Sequence, residues 1–285
     1  MACDLHTHSG FSDGTDSPRK LLEHAREIGL SAVALTDHNT TRGLPDFLAA
    51  AEELGITAVP GIELSVDWRG REIHLVGLFL RPEHYAELEA VTLDYHKRKE
   101  ASNHALVERL REDGYRIDYA DVLRHSPAGN VNRIHVASAL VEKGYVGSVD
   151  EAFVNLLSEK GDYYKPPRRM ALGDAIRLLR RLEALPVLAH PLQYMGEETL
   201  RELLPGAVEA GLVGMETRHS SSDRDTVTLL EGIAKEFGLL PSGGSDYHGT
   251  RKTNVPLGIG GGGEAVPYGI YLGLLETLER IRKEA

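Results

Sequence analysis

The sequence predicts an α/β barrel, on three observations. Short apolar runs alternate with amphipathic, helix-like stretches over most of the chain, the pattern of strands joined by crossover helices. The 285 residues, 41% of them hydrophobic, can bury a large core and fit one barrel or two smaller domains. Nearly every apolar run ends in a polar cluster, and parallel α/β barrels build their sites at the C-terminal ends of their strands.

In chain order, the first run leads directly into Asp4-Leu-His-Thr-His8. Ser17-Pro18 reads as an N-cap with proline in the first turn of a Leu-rich helix that Gly29 stops. Residues 31–36 form a buried strand ending at Asp37-His38, a second helix runs to about Gly55, and 56–63 is the next strand. The stretch from Glu63 to His74 reads as a hairpin turning at Arg69-Gly70. With a two-residue turn, Ser65 lies opposite His74, and Glu63 is its diagonal neighbour on the same face. From about Pro82 to Pro167 the alternation breaks: a long charged helix ends near Gly114, and shorter ones fall around 134–143 and 150–160. Residues 82–167 are therefore expected to be an inserted small helical domain, a lid or substrate domain, with 1–81 and 168–285 as the barrel. Strands resume at 185–190, 211–216 and 239–246, each after a helical segment. Gly260-Gly-Gly-Gly263 reads as a flexible loop before a final helix.

Composition narrows the function classes. A net charge of -11 argues against broad, sequence-independent nucleic-acid binding, while leaving room for a small basic pocket that takes one phosphate. Cys3 is the only cysteine, so no intramolecular disulfide forms and a reducing cytoplasm is the expected setting. No apolar run approaches the ~20 residues of a membrane span. Asp4, His6 and His8 stand where a signal peptide needs cationic and then apolar residues. The expectation is a soluble cytoplasmic protein with no membrane contact.

The polar clusters point to metal. In an extended chain His6 and His8 project to the same side with Cα atoms ~6–7 Å apart, close enough for two imidazoles to grip one cation. Asp246-Tyr-His248 repeats the spacing at another strand end. Taken singly these signals are weak. A lone histidine is ordinarily a satisfied or surface residue, the reading given to His24, His84, His96, His104 and His125, and Glu63 or Asp37 alone serves as a cap or ion-pair partner. Ligand-type side chains at five separate strand ends or hairpins are another matter, because the fold gathers such ends at one mouth.

Taken in order, Asp4-Leu-His-Thr-His-Ser9, Thr36-Asp-His-Asn39, Gly61-Ile-Glu63, Ile73-His-Leu-Val-Gly77, Ala189-His-Pro191 and Gly244-Ser-Asp-Tyr-His248 resemble the motifs of the PHP (polymerase and histidinol phosphatase) family. The resemblance spans essentially the whole chain. It implies a distorted (β/α)7 barrel, a trinuclear site of Zn, Mn or Fe, and phosphoester hydrolysis. Carried over by position, it gives one metal to His6, His8, a bridging Glu63 and Asp246, and a second to Glu63, His74 and His190. A third goes to Asp13, His38 and His248, with Asp37 orienting ligands. Imidazole-plus-carboxylate ligation suits two or three divalent ions of any of these metals. None of the nine expected ligands is missing.

Arg133-Ile-His135, the helix end at 140–144 and Tyr164-Lys-Pro-Pro167 look most like one bacterial branch. It includes 3',5'-nucleotide bisphosphate phosphatases, 5'-to-3' exonucleases on short RNA, and a cyclic phosphodiesterase acting on a ribose cyclic phosphate. That likeness implies a small phosphorylated substrate, with Arg133 and Lys165 as phosphate anchors. One departure counts against a nucleotide: Arg98-Lys-Glu-Ala-Ser102 stands where nucleotide-specific members resemble Arg-Arg-Asn-x-Arg. His219 falls beside the expected site as a candidate substrate contact and proton donor, and it joins Asp246 as a candidate catalytic residue. Histidinol-phosphatase-like activity is an alternative within the family. Outside that chemistry stand an amidohydrolase-type deaminase, which also begins with His-x-His on a barrel strand, and a non-catalytic PHP interaction domain, which should have lost ligands.

Overall fold

The computed structural model describes residues 1–126, 129, 131–158 and 161–284. Its strands are β1 (Ala2–Asp4), β2 (Leu30–Leu35), β3 (Thr57–Trp68), β4 (Arg71–Leu78), β5 (Met170–Ala171), β6 (Leu185–Leu188), β7 (Gly214–His219), β8 (Leu240–Gly244) and β9 (Val266–Pro267). They run in the order β8-β7-β6-β4-β3-β2-β1-β9, with β5 against β3. Beyond β1 the chain returns to β8: Leu5 N donates to Gly243 O at 3.1 Å, Asp246 N to His6 O at 2.9 Å, and Thr7 bridges Tyr247 in parallel. The sheet is thus a nearly closed barrel, and β1–β4 with β6–β8 make a ring of seven strands.

Gly244 permits that closure. A Cβ there would lie 2.5 Å from both the Cβ and the backbone nitrogen of His6, so only a bare backbone lets β8 come alongside the first histidine.

Within the ring of seven, one strand departs from the all-parallel sheet that the strand–helix alternation predicts; outside it the short β9 also runs antiparallel, to β1. β4 is antiparallel to both β3 and β6. The cause is the turn: Arg69 and Gly70 both have positive φ (54° and 79°), which makes a two-residue hairpin too short for a crossover. Its register sets Ser65 opposite His74 and Glu63 opposite Val76, the pairing expected from the sequence.

Ser17 caps the helix Pro18–Glu27 by accepting from Lys20 N, and Gly55, with φ 66°, ends the helix Leu44–Leu54. Alternation along β2 divides the core. Val33 and Leu35 join the cluster under the outer helices, with Phe47 and Leu179, while Ala32 and Ala34 face a second cluster with Val59, Val187 and, from the last helix, Leu274 and Leu278.

Between 82 and 167 the described residues form no strand, and the helices Tyr85–Glu112, Tyr119–Leu123, Arg133–Glu142 and Val149–Asn155 bury a cluster of their own around Leu106, Leu110, Val136 and Leu140. The helix expected around 150–160 is shorter than that, and positions 159 and 160 lie outside the described residues. Gly261–Gly263 is a short helical turn tied by Gly262 N to Ser222 O at 2.7 Å, not a loose loop. No helix among the described residues is long and apolar enough to cross a membrane.

Candidate metal centre

The side chains that leave the strand ends converge. His6 and His8, on the extended chain after β1, bring their Nε2 atoms within 3.1 Å of each other. Glu63 Oε2 lies 3.2 Å from each of those nitrogens and 3.0 Å from His38 Nδ1. Its other oxygen lies 2.8 Å from His74 Nδ1 and 3.0 Å from His190 Nε2. Asp246 Oδ1 is 3.1 Å from His8 Nε2, and Asp13 reaches His248 Nε2 (3.3 Å) and His38 Nε2 (3.6 Å). One fully buried carboxylate therefore touches five imidazoles, and all nine candidate ligands lie in one basin.

These residues fit metal ions better than they fit one another. His6, His8, Glu63 and Asp246 offer ligand atoms all within 4.8 Å of one another, as do His8, Asp13, His38 and His248. Several of these buried atoms make no hydrogen bond despite the short distances, among them His8 Nδ1, Glu63 Oε2 and His74 Nδ1. Buried lone pairs crowded together without donors are costly unless a cation lies among them.

The electrostatics agree. Burial opposes charging of His8 and His74, yet the facing carboxylates, Asp246 and Glu63 at His8 and Glu63 at His74, raise them to about 9 and about 10. At His190 and His248 burial prevails and both fall to about 4. Glu63, Asp13 and Asp246 resist burial and stay well below the usual carboxyl range because imidazoles, and for Asp246 also Lys252, surround them. The basin demands positive charge, from protons or from metal.

The backbone is distorted where it supplies these groups. His190 (φ 25°), Asp246 (φ 58°) and Asn39 (φ 54°), next to His38, all adopt positive φ without being glycine, the kind of strain that gathers at functional sites. In β7 the register against β8 slips: Glu216 pairs with Ser242, but Arg218 pairs with Gly243 and His219 with Gly244. Residues 216 and 219 would face opposite sides of a regular strand. The bulge at Thr217 turns both inward. His219 stacks its ring edge 5.1 Å from His190, with Nε2 3.7 Å from Asp246 Oδ2.

The PHP domain family matches residues 4–165. This chain belongs to the PHP family. A 5'-3' exoribonuclease of Haemophilus influenzae is 32% identical over 246 residues, covering 86% of this chain and 89% of that one. A phosphoribosyl 1,2-cyclic phosphate 1,2-diphosphodiesterase of Eggerthella lenta is 33% identical over 259 residues, covering 87% and 95%. A 3',5'-nucleoside bisphosphate phosphatase of Chromobacterium violaceum is 29% identical over 254 residues, covering 86% of each. Membership makes the chain a hydrolase of phosphoric ester bonds, and the buried His/Asp/Glu cluster is its metal-binding feature.

Around that PHP cluster the remaining candidates divide. Asp37 accepts from Ser9 N (2.8 Å), Ser9 Oγ (2.7 Å) and Ser12 Oγ (2.5 Å), so it fixes the loop between His8 and Asp13 and not an imidazole directly. Arg133 reaches Glu72 at 3.2 Å and lies over the Tyr164 ring at 4.4 Å. Lys165 is exposed, its amine 3.5 Å from Gly161 O, and the structure does not bring it into the cluster.

Arg169, which the sequence reading missed, is buried, with its guanidinium 2.6 Å from Glu72; Glu72 in turn lies 3.7 Å from His74. The run Lys165-Pro-Pro-Arg-Arg169 showed the cations but not which one turns inward. Also missed were Lys99 and Asn132. The Lys99 amine bonds Asn132 Oδ1, Asn132 Nδ2 donates to Asp13 Oδ2 at 2.9 Å, and burial lowers Lys99 to about 8. Lys252, 2.6 Å from Asp246 Oδ2, completes the charged wall.

Proposed function

We propose that this PHP protein hydrolyses a phosphate ester of a small nucleotide- or sugar-phosphate-type substrate in the cytoplasm. The type reaction is a 3',5'-nucleotide bisphosphate plus water giving a nucleoside 5'-monophosphate and inorganic phosphate. The observation that carries this reading is Glu63, whose two oxygens meet five imidazoles from separate parts of the barrel.

Two or three divalent ions (Mn, Fe or Zn) would be held by His6, His8, Glu63 and Asp246, by Glu63, His74 and His190, and by Asp13, His38 and His248. When bound, such ions make hydroxide available near neutral pH and neutralise charge that develops on the phosphoryl oxygens. The protein supplies the rest. His219, its Nε2 3.7 Å from Asp246 Oδ2, would contact the substrate and give a proton to the leaving alkoxide. Arg133 and Lys165 would hold a second phosphate of the substrate, and Arg169 beside Arg133 adds charge at the same rim. Residues 82–167 would act as the lid that admits the substrate and excludes water.

A second reading, cleavage of a cyclic ribose phosphodiester, draws support from the Eggerthella lenta relative, as similar to this chain as the exoribonuclease is. One experiment separates the readings. Bound metal is quantified, and phosphate release is then screened over nucleotide bisphosphates, short RNA, sugar cyclic phosphates and histidinol phosphate. His8→Ala and Asp246→Asn should each abolish turnover while the circular dichroism spectrum is retained. Undiminished turnover in either variant, or ammonia release from amide substrates without phosphate release, overturns the proposal.

A further inference from the structure

Glu216 has no place in the ligand sets above, yet it is fully buried on β7 with both oxygens in use. Oε1 lies 2.8 Å from His6 Nδ1, and Oε2 accepts the backbone N–H of His190 at 2.7 Å. Both partners are candidate metal ligands: His190 follows β6, the neighbour of β7 on one side, and His6 lies on the chain alongside β8, its neighbour on the other. A buried carboxylate needs donors, and these two are the ones it has among its hydrogen bonds. The β7 bulge at Thr217 is what aims it there.

The chemistry of the pair is directional. A carboxylate accepts and does not donate, so the neutral His6 ring that a metal requires carries its hydrogen at Nδ1 and presents a lone pair at Nε2. That Nε2 is the atom 3.1 Å from His8 Nε2 and 3.2 Å from Glu63 Oε2. The second oxygen steadies the left-handed backbone of His190, whose ring Nε2 meets Glu63 from the other side.

We propose that Glu216 is a positioning residue of the metal centre: one carboxylate fixes the tautomer of His6 and the backbone of His190, so that both rings address the bridging Glu63 together. The inference rests on the metal-centre reading and adds to it a residue that holds two ligands at once.

Glu216→Gln is the discriminating variant. The amide keeps the shape, but whichever way it turns, a donor meets either His6 Nδ1–H or His190 N–H. Chelator competition with Zn²⁺ and Mn²⁺ should show affinity lowered 10–100-fold, the usual effect of removing such a partner, with the fold retained by circular dichroism. A merely structural role would lower the melting temperature of the metal-free protein and leave the affinity of the folded protein unchanged. The wild type provides a test that needs no variant. In long-range ¹H–¹⁵N spectra of the zinc-loaded protein His6 should be the Nδ1–H tautomer. Equal metal affinity in wild type and E216Q, or an Nε2–H tautomer at His6, overturns the role of Glu216. A wild-type protein that takes up no divalent ion at all refutes the metal centre itself, which is a separate failure.

Discussion

At Glu63 protons and metal ions compete for the same imidazoles. Without metal, His74 is raised to about 10 and His8 to about 9, against the opposing effect of burial, because Glu63 and its neighbours stabilise the imidazolium forms. A ligating imidazole must be neutral, so metal uptake expels these protons. The sign follows. His6 is raised as well, by Glu216 and Glu63, so apparent affinity should rise with pH up to at least about 10, with more than two protons released per cluster below about 9. Calorimetric titrations at several pH values in buffers of different ionisation enthalpy measure both. An affinity flat between pH 6 and 9 contradicts it. The same burial acts oppositely on Cys3, whose thiol is pushed up to about 12 and lies 3.6 Å from Pro267 O. A thiol reagent at pH 8 should therefore find no reactive cysteine in the folded protein and one after denaturation.

Elements, more than single residues, decided what could be read from the sequence. The β3–β4 hairpin was legible because a two-residue turn at Arg69-Gly70 leaves one register, and that register sets Glu63 and His74 on one face. The antiparallel direction of β4 within the barrel follows from the same turn. The bulge that turns both β7 residues inward was not legible, although His219 was expected beside the site. Alternation puts Glu216 and His219 on opposite faces, and nothing local in Met-Glu-Thr-Arg-His announces the slip at Thr217. Nor could charge alone rank Arg169 above Lys165, since burial is a property of the packed chain. Element geometry also makes a prediction at β8. Gly244→Ala pushes a methyl group to 2.5 Å from His6, so β8 must part from β1. It should cost about 1–3 kcal/mol by overpacking and release bound metal, read by denaturant unfolding and metal analysis. Unchanged metal content would show that closure beside His6 is not needed.

For the whole molecule, the question is how the helices between 85 and 155, proposed as an insertion, communicate with the basin. Their own apolar cluster lies apart from the two barrel clusters; the first turns of the long helix are rooted in the barrel core through Tyr85, Leu88 and Val91, and beyond that root polar contacts cross. His96 Nε2 meets Asn39 O at 2.6 Å, Arg133 meets Glu72, and Arg251 of the barrel donates to His125 O at 2.6 Å. The most consequential link is Lys99–Asn132–Asp13, because it ends on a candidate metal ligand. A seam of hydrogen bonds opens at lower cost than an apolar one and lets an insertion move without unfolding its own core. Asn132→Ala removes the middle of the chain and leaves Lys99 and Asp13 facing each other without their bridge. At about 1 kcal/mol for one such bond, KM should rise roughly 5-fold. Metal affinity should fall as well, because Asp13 loses the donor that orients it even though all nine ligands remain. Amide exchange should quicken across the helices of 85–155 and not across the barrel strands. If exchange rises equally in both, the insertion and barrel open as one unit, and the lid role assigned to residues 82–167 fails.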